Sequence, residues 1–162
     1  MATSAAHATS TSHETILARL TRILDPYVAA NDLGFVYRPR AAITIRGDSE
    51  VEPDLMVRQL PEDERAGWAR PPMPILVVEV ASDFTRRRDR VQKRNIYAEA
   101  GIPEYWMVDG RDRTVRVVRP GHADVITSDS LSWHPAGAGT PLEIALADVF
   151  GPPAASAASS GE

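Results

Sequence analysis

Three ionisable residues stand where the surrounding pattern calls for apolar ones. Asp54 interrupts the alternating run 51–57. Glu79 lies in the middle of 74–81, which is otherwise apolar on both faces: Ile75, Val77 and Ala81 on one, Leu76, Val78 and Val80 on the other. Lys93 follows in a helical segment, where Asp89, Lys93, Tyr97 and Ala100 share one face. An isolated buried carboxylate costs several kcal/mol or shifts its pKa. Two close together need a proton, a cation or a metal between them. Oxygen-only ligation suits Mg²⁺ or Mn²⁺, which keep several waters and pair well with phosphate. A nearby lysine can hold a phosphate oxygen or lower the pKa of an attacking water. Metal, water and lysine together are the equipment of phosphodiester hydrolysis.

A residue count singles out the same lysine. Of the 18 basic residues, 17 are Arg and one is Lys, at position 93. A compact ammonium serves where a planar guanidinium does not fit. The plainer alternatives stay open at this point. Asp54 could be a turn residue, Glu79 the partner of an arginine, and Lys93 the i, i+4 partner of Asp89.

The elements that must position these residues can be read from periodicity. Ile16, Leu17, Leu20, Ile23, Leu24, Tyr27 and Val28 form an amphipathic helical stripe. Thr11 and Glu14 can cap its start, Pro26 should kink or restart it, and Gly34 can stop it. Short strands are expected at 35–38 and 42–46, then a turn at Gly47–Glu50. A strand over 51–57 carries Pro53 at a bulge or edge, and 60–72 reads as a charged loop. The apolar strand 74–81 leads into a helix capped near Ser82 or Asp83 and ending at Ala100, with Gly101 at its C-cap. Strands at 104–108 and 114–118 flank a turn at Asp109–Asp112. Residues 142–150 read as a strand and a short helical turn. The order α-β-β-β-α-β-β predicts an α/β (α+β) fold, a mixed central sheet flanked by helices. Residues 1–11 and 152–162 are rich in small and polar residues and read as disordered tails around one domain, 12–151.

Pro53-Asp54, then Glu79 in an apolar strand, then Lys93 resembles the PD-(D/E)XK nuclease pattern. The run Asp89, Lys93, Tyr97, Gly101-Ile102-Pro103-Glu104-Tyr105-Trp106, closing at Asp109, resembles the Uma-two family of restriction-endonuclease-like proteins, as does Val78-Glu79-Val80 with Ser82 and Thr85. The resemblance covers roughly residues 13–150. It implies a restriction-endonuclease-like core, Mg²⁺ or Mn²⁺ held by Asp54, Glu79 and the Val80 carbonyl, and Lys93 positioning or activating water. In the parent pattern the lysine stands two residues after the glutamate, where this chain has Ala81. The resemblance implies that it has migrated to the next helix. Asp89 would orient Lys93, with Tyr97 behind the site. Glu14 is either a helix cap or a supplementary metal ligand. Dimeric nucleases of this kind cut two strands, so the resemblance also implies a homodimer.

Charge and composition narrow the partners. The net charge is −4, so the whole chain is no cationic nucleic-acid coat. Arg86, Arg87, Arg88, Arg90 and Arg94, with Lys93, place six positive charges within nine residues. They read either as a solvated helix face or as a patch tracking DNA phosphates. With no cysteine, disulfide scaffolds, thiol nucleophiles and Cys-ligated metals are excluded. The four histidines, at 7, 13, 122 and 134, show no metal-ligand spacing. Neither a secretory signal nor a membrane span is seen, so a cytoplasmic protein is expected. Its expected activity is metal-dependent DNA endonucleolysis. The rivals are a nuclease fold kept for DNA binding or regulation without chemistry, and an interaction module whose inward charges form a buried ion-pair network.

Overall fold

The computed structural model describes residues 3–38, 43–45, 49–59, 72–81 and 87–152, with backbone alone at 3–12, 44, 45, 49 and 87–89. The elements are α1 (Thr3–Ala30), β1 (Phe35–Tyr37), β2 (Ile43–Ile45), β3 (Ser49–Val51), β4 (Leu55–Arg58), β5 (Leu76–Ala81), α2 (Arg87–Glu99), β6 (Tyr105–Asp109), β7 (Thr114–Val118), β8 (Val125–Thr127), β9 (Ser130–Trp133), β10 (Leu142–Ala145) and α3 (Leu146–Phe150). A six-stranded sheet runs in the order β1-β4-β5-β6-β7-β8. β5 and β6 pair in parallel, with Glu79 opposite Met107, and α2 crosses between them. The other neighbours in this sheet are antiparallel.

Period-two alternation divides the core between the two faces of this sheet. Leu55, Val57, Leu76, Val78, Val80, Trp106, Val108, Val115 and Val117 pack with Ile16, Leu17, Leu20, Leu24 and Val28 of α1. Met56, Val77, Tyr105, Met107 and Val118 pack with Tyr97 of α2 and with Ile43 and Ile102. Each fully buried aliphatic side chain contributes roughly 1.5–3 kcal/mol. On the α1 side, the paired strands β9 and β10 and α3 complete the core. Trp133 meets the edge of Trp106 at 6.0 Å and lies 5.8 Å from Tyr27. Glu104 is buried there with its needs met, accepting from Trp106 Nε1 and from two nitrogens of Arg119.

Several boundaries differ from the expected ones. α1 begins at Thr3, so Thr11 and Glu14 lie inside the helix and do not cap it. The residues ahead of Thr11 include Ala5, Ala6 and Ala8, and alanine favours helix most. The helix runs through Pro26 without restarting, held by its buried stripe. It ends in a Schellman motif, with the Leu33 amide on Val28 O and the Asp32 amide on Ala29 O. Asp32, not Gly34, takes the left-handed position, at φ 52°. The expected strand 51–57 is two strands. Pro53 lacks an amide to donate, and the break at 52–54 puts Asp54 in the bend before β4. Strands β8 and β9 arise in a polar stretch whose sequence shows weak alternation. The turn at 47–50 falls partly outside the described residues, between the paired β2 and β3. The expected loop at 60–72 and the caps at Ser82 and Asp83 also fall largely or wholly outside them, as do the family-like Ser82 and Thr85 and residues 153–162. None of the described helices is long and apolar enough to cross a membrane.

Gly34 has φ +107°, and a Cβ there would lie 2.3 Å from the carbonyl oxygen of Arg58 at the end of β4. Gly101 has φ +76° with open space around it. Gly101→Ala should therefore cost only the left-handed backbone penalty, about 1–2 kcal/mol. Gly34→Ala should cost roughly 3 kcal/mol or more, because β1 must also move away from β4. Urea denaturation of the two variants checks this, and equal losses would contradict the close approach.

Candidate active site

The site forms where β5 outruns β4. Leu55 is the first residue of β4 and pairs with Val78, so the edge of β5 at Val80 has no β4 backbone beside it. Asp54 fills that gap, its Oδ2 accepting from the Val80 amide at 2.8 Å. A strand residue directs its amide and its carbonyl to the same edge. The Val80 carbonyl therefore faces the Asp54 side too.

Glu79 points to the opposite face from Val78 and Val80, beneath α2. It is 4% exposed. Both its oxygens are engaged by α2: Tyr97 Oη donates to Oε1 at 2.7 Å, and Lys93 Nζ lies 3.2 Å from Oε2. The i, i+4 spacing of Lys93 and Tyr97 allows one helix face to hold both oxygens of one carboxylate. Burial pushes the Glu79 carboxyl up to about 6, and the charge of Asp54 adds to this, against the Tyr97 hydrogen bond and the Lys93 ammonium. Burial likewise raises the phenols of Tyr97 and Tyr105, and the nearby Glu79 adds to both. The two phenol rings lie 4.9 Å apart.

Asp54, Glu79, Val80, Lys93 and Tyr97 thus come together from the 52–54 bend, β5 and α2. The side chain of Asp89 lies outside the described residues, as does all of Arg86. Arg87 and Arg88 open α2 with their backbones alone described. Arg90 and Arg94, expected to face solvent, have side chains 40% and 38% exposed and also lean over the sheet. Arg94 makes a two-pronged contact with Asp124, at 2.8 and 2.6 Å, and Arg90 lies 3.7 Å from Asp109. Asp109 in turn accepts from the amides of Arg111 and Asp112, which closes the β6–β7 turn.

One neighbour escapes a search for metal-ligand spacing. His13 Nε2 lies 3.5 Å from Asp54 Oδ2. The helical stripe could have found it, since His13 precedes Ile16 and Leu17 by three and four residues and so continues their face by one turn. Glu14 turns outward, 3.7 Å from both His13 and Arg38.

The donor set is compatible with a hard cation. Asp54, Glu79 and the Val80 carbonyl offer only oxygen. Among the described residues no group of three or more His, Cys, Asp or Glu could hold an ion. Mg²⁺ commonly takes one or two carboxylates, keeps water and completes its shell with substrate phosphate.

A family model described as "Putative restriction endonuclease", Uma2, matches residues 5–147. The chain belongs to this family. A solved structure described as "a putative nuclease belonging to DUF820", from Anabaena variabilis, shares the fold, with a TM-score of 0.70 and 19% identity over 86% of this chain and 80% of that one. No curated protein matches significantly. The Uma2 match contains α1 from its third residue on, the whole six-stranded sheet and α2.

Without metal, the raised Glu79 carboxyl links stability to pH. The folded state holds this proton more tightly than the unfolded chain, whose ordinary value is 4.5. The contribution is fully present below about pH 4.5 and is lost as pH rises through about 6, roughly 2 kcal/mol in total. In chelator, Glu79→Gln should lack this loss and be the less pH-sensitive protein from about pH 4.5 to 6.5. Urea denaturation across that range checks it. Parallel curves for the two proteins would mean that the carboxyl is not perturbed.

Proposed function

We propose that this Uma2 protein is a Mg²⁺- or Mn²⁺-dependent endonuclease that hydrolyses phosphodiester bonds in DNA. The observation that carries this reading is the joining of Asp54, Glu79 and Lys93 from three separate segments, with Lys93 Nζ 3.2 Å from Glu79 and Asp54 anchored on Val80. Family membership and the nuclease-like fold support it. Asp54, Glu79 and the Val80 carbonyl would hold the ion. When bound, it supplies positive charge against the phosphate and acidity to water.

The chain's own groups have separable tasks. Tyr97 fixes one Glu79 oxygen, so the carboxylate keeps a single orientation. The Val80 amide does the same for Asp54. The Lys93 side chain is 36% exposed, so its ammonium can donate to a phosphate oxygen or a water while it stays near Glu79. Arg86, Arg87 and Arg88, at and before the start of α2, would meet neighbouring phosphates, with Asp89 and Tyr97 supporting Lys93. A homodimer would present two such sites to two strands.

A second reading is a DNA-binding or regulatory protein that keeps the fold without the chemistry. The departure from the parent pattern favours it, since Ala81 stands where that pattern carries its lysine.

Titration with Mn²⁺, with cleavage of single- and double-stranded DNA as the readout, tests the proposal. Lys93→Arg should keep the fold and lose about a hundredfold or more in rate, because a planar fork cannot replace a compact ammonium. Mn²⁺ at a hundredfold excess over its dissociation constant should stabilise wild type by roughly 2.7 kcal/mol. Asp54→Asn should show little of that gain while being as stable as wild type without metal. Metal stabilisation without cleavage would select the second reading. The absence of both, with a strongly destabilised Asp54→Asn, would leave only a structural ion-pair network.

Replacing Arg86, Arg87 and Arg88 with Gln should lower DNA affinity at every sequence. It should also flatten the salt dependence, by about 0.7–0.9 in slope for each phosphate that is no longer neutralised. Binding measured at several salt concentrations checks this. An unchanged slope would remove the start of α2 from the DNA surface.

A further inference from the structure

Beside the catalytic candidates, on the same face of the sheet, lies a second concavity. It has a volume of about 560 Å³ and sits between α2 and the strands β6, β7 and β8. Its lining is of three kinds. Arg90, Arg94 and Arg116 supply guanidinium groups, and Asp109, Asp112 and Asp124 supply carboxylates. Val91, Met107 and Ile126 supply apolar wall, and Val91 and Ile126 are 53% and 58% exposed. Tyr105 forms another part of the wall. Its hydroxyl is buried and finds no hydrogen-bond partner among the described residues.

The concavity adjoins the site through a pair of tyrosine rings packed together. Tyr105 lies 4.9 Å from Tyr97, which holds Glu79. On α2, Lys93 turns to Glu79, while Arg90 and Arg94, three residues before it and one after, turn to the concavity. A strand entering the site thus has a ready place for a neighbouring residue.

The mixture of groups selects the ligand. A bare phosphate would gain from the arginines but be opposed by three carboxylates. A purely apolar ligand would engage neither charge type beyond the ion pairs they already make with one another. A nucleotide has parts for each: phosphate for a guanidinium, base N–H groups for a carboxylate, and a flat apolar face for Val91, Met107 and Ile126. A space of this size admits a small ligand but not a stacked duplex, so the base must leave the stack. That costs least where it is unpaired.

We propose that this concavity is a nucleotide subsite, which takes one unstacked nucleotide of a DNA strand next to the bond at Asp54 and Glu79. The proposal rests on the reading of the protein as a DNA-cleaving enzyme. It refines the substrate to DNA containing unpaired nucleotides. Arg116 and Ile126 face each other across β7 and β8 and belong to the subsite alone.

The test uses the full chain carrying Asp54→Asn, so that bound DNA is not cut. Affinity is measured for a short single strand, the matching duplex, a 5′-phosphorylated dinucleotide and a free mononucleotide. Arg116→Gln and Ile126→Ala are then each added. Both side chains are exposed and the Arg116–Asp124 contact is a long 3.4 Å, so folding should survive, as melting curves will show. The single strand should bind more tightly than the duplex. Each added substitution should weaken the single strand and the dinucleotide about tenfold, a 1.4 kcal/mol contact, with the duplex changed far less. Cleavage by the Asp54 protein with strand affinities unmoved by Arg116→Gln and Ile126→Ala would overturn the subsite and leave the nuclease reading standing. A mononucleotide that binds as tightly as the strand would overturn the assignment to DNA. Absence of both DNA binding and cleavage would overturn the nuclease reading and the subsite with it.

Discussion

A single carboxylate, placed in the apolar face of a sheet and clasped from above by one helix, organises this molecule. Glu79 is buried, and its two oxygens are taken by Tyr97 and Lys93 of α2. An uncompensated charge at that depth would cost several kcal/mol. The helix must therefore lie over β5 with this face down. The parallel β5–α2–β6 unit follows from that demand as much as from hydrophobic burial, and β4 and β7 extend it on either side.

The two faces of the sheet divide the labour. The α1 face is nearly all aliphatic and tryptophan, closed by β9, β10 and α3, and the one buried acid among its described residues, Glu104, is satisfied by Trp106 and Arg119. The α2 face is smaller and more polar, with two tyrosines, Glu79, and a concavity of mixed charge at its edge. Stability resides mainly on the first face. The second can then carry a raised carboxyl and a phenol whose hydroxyl has no hydrogen-bond partner among the described residues.

Much of this was legible from residue types alone. Glu79 stood out because everything around it in 74–81 is apolar. Lys93 stood out because an arginine-rich chain spared one lysine. Their meeting followed from the 3.6-residue period, which puts positions 93 and 97 on the helix face that covers the strand. What the sequence hid was long-range. That Asp54 caps the exposed edge of β5 depends on β4 starting one residue later, a matter of register. His13 was hidden because its partner is some forty residues away and its local context is helical. Arg90 and Arg94 look like solvent-facing charges until Asp109, at the end of β6, and Asp124, just before β8, come beside them. The start of α1 was missed because Thr11 and Glu14 fit a capping pair and the residues ahead of it are mostly Ser, Thr and His, which favour helix less than the three alanines among them.

The seating of Lys93 on a helix has a mechanical consequence. Glu79 and Ala81 are fixed to each other by the strand, so a lysine at position 81 would ride rigidly with the glutamate. Lys93 and Glu79 instead belong to two bodies whose contact is a layer of side chains. Any slide or tilt of α2 changes the distance between ammonium and carboxylate, while Glu79 keeps its place in the sheet and Asp54 its place beside it. The spacing of the charged groups is thus an adjustable quantity, set by how the helix rests on Tyr105, Ile102 and Met107. Mutational drift in that largely apolar layer becomes a means of tuning the site or silencing it without touching one of its charges.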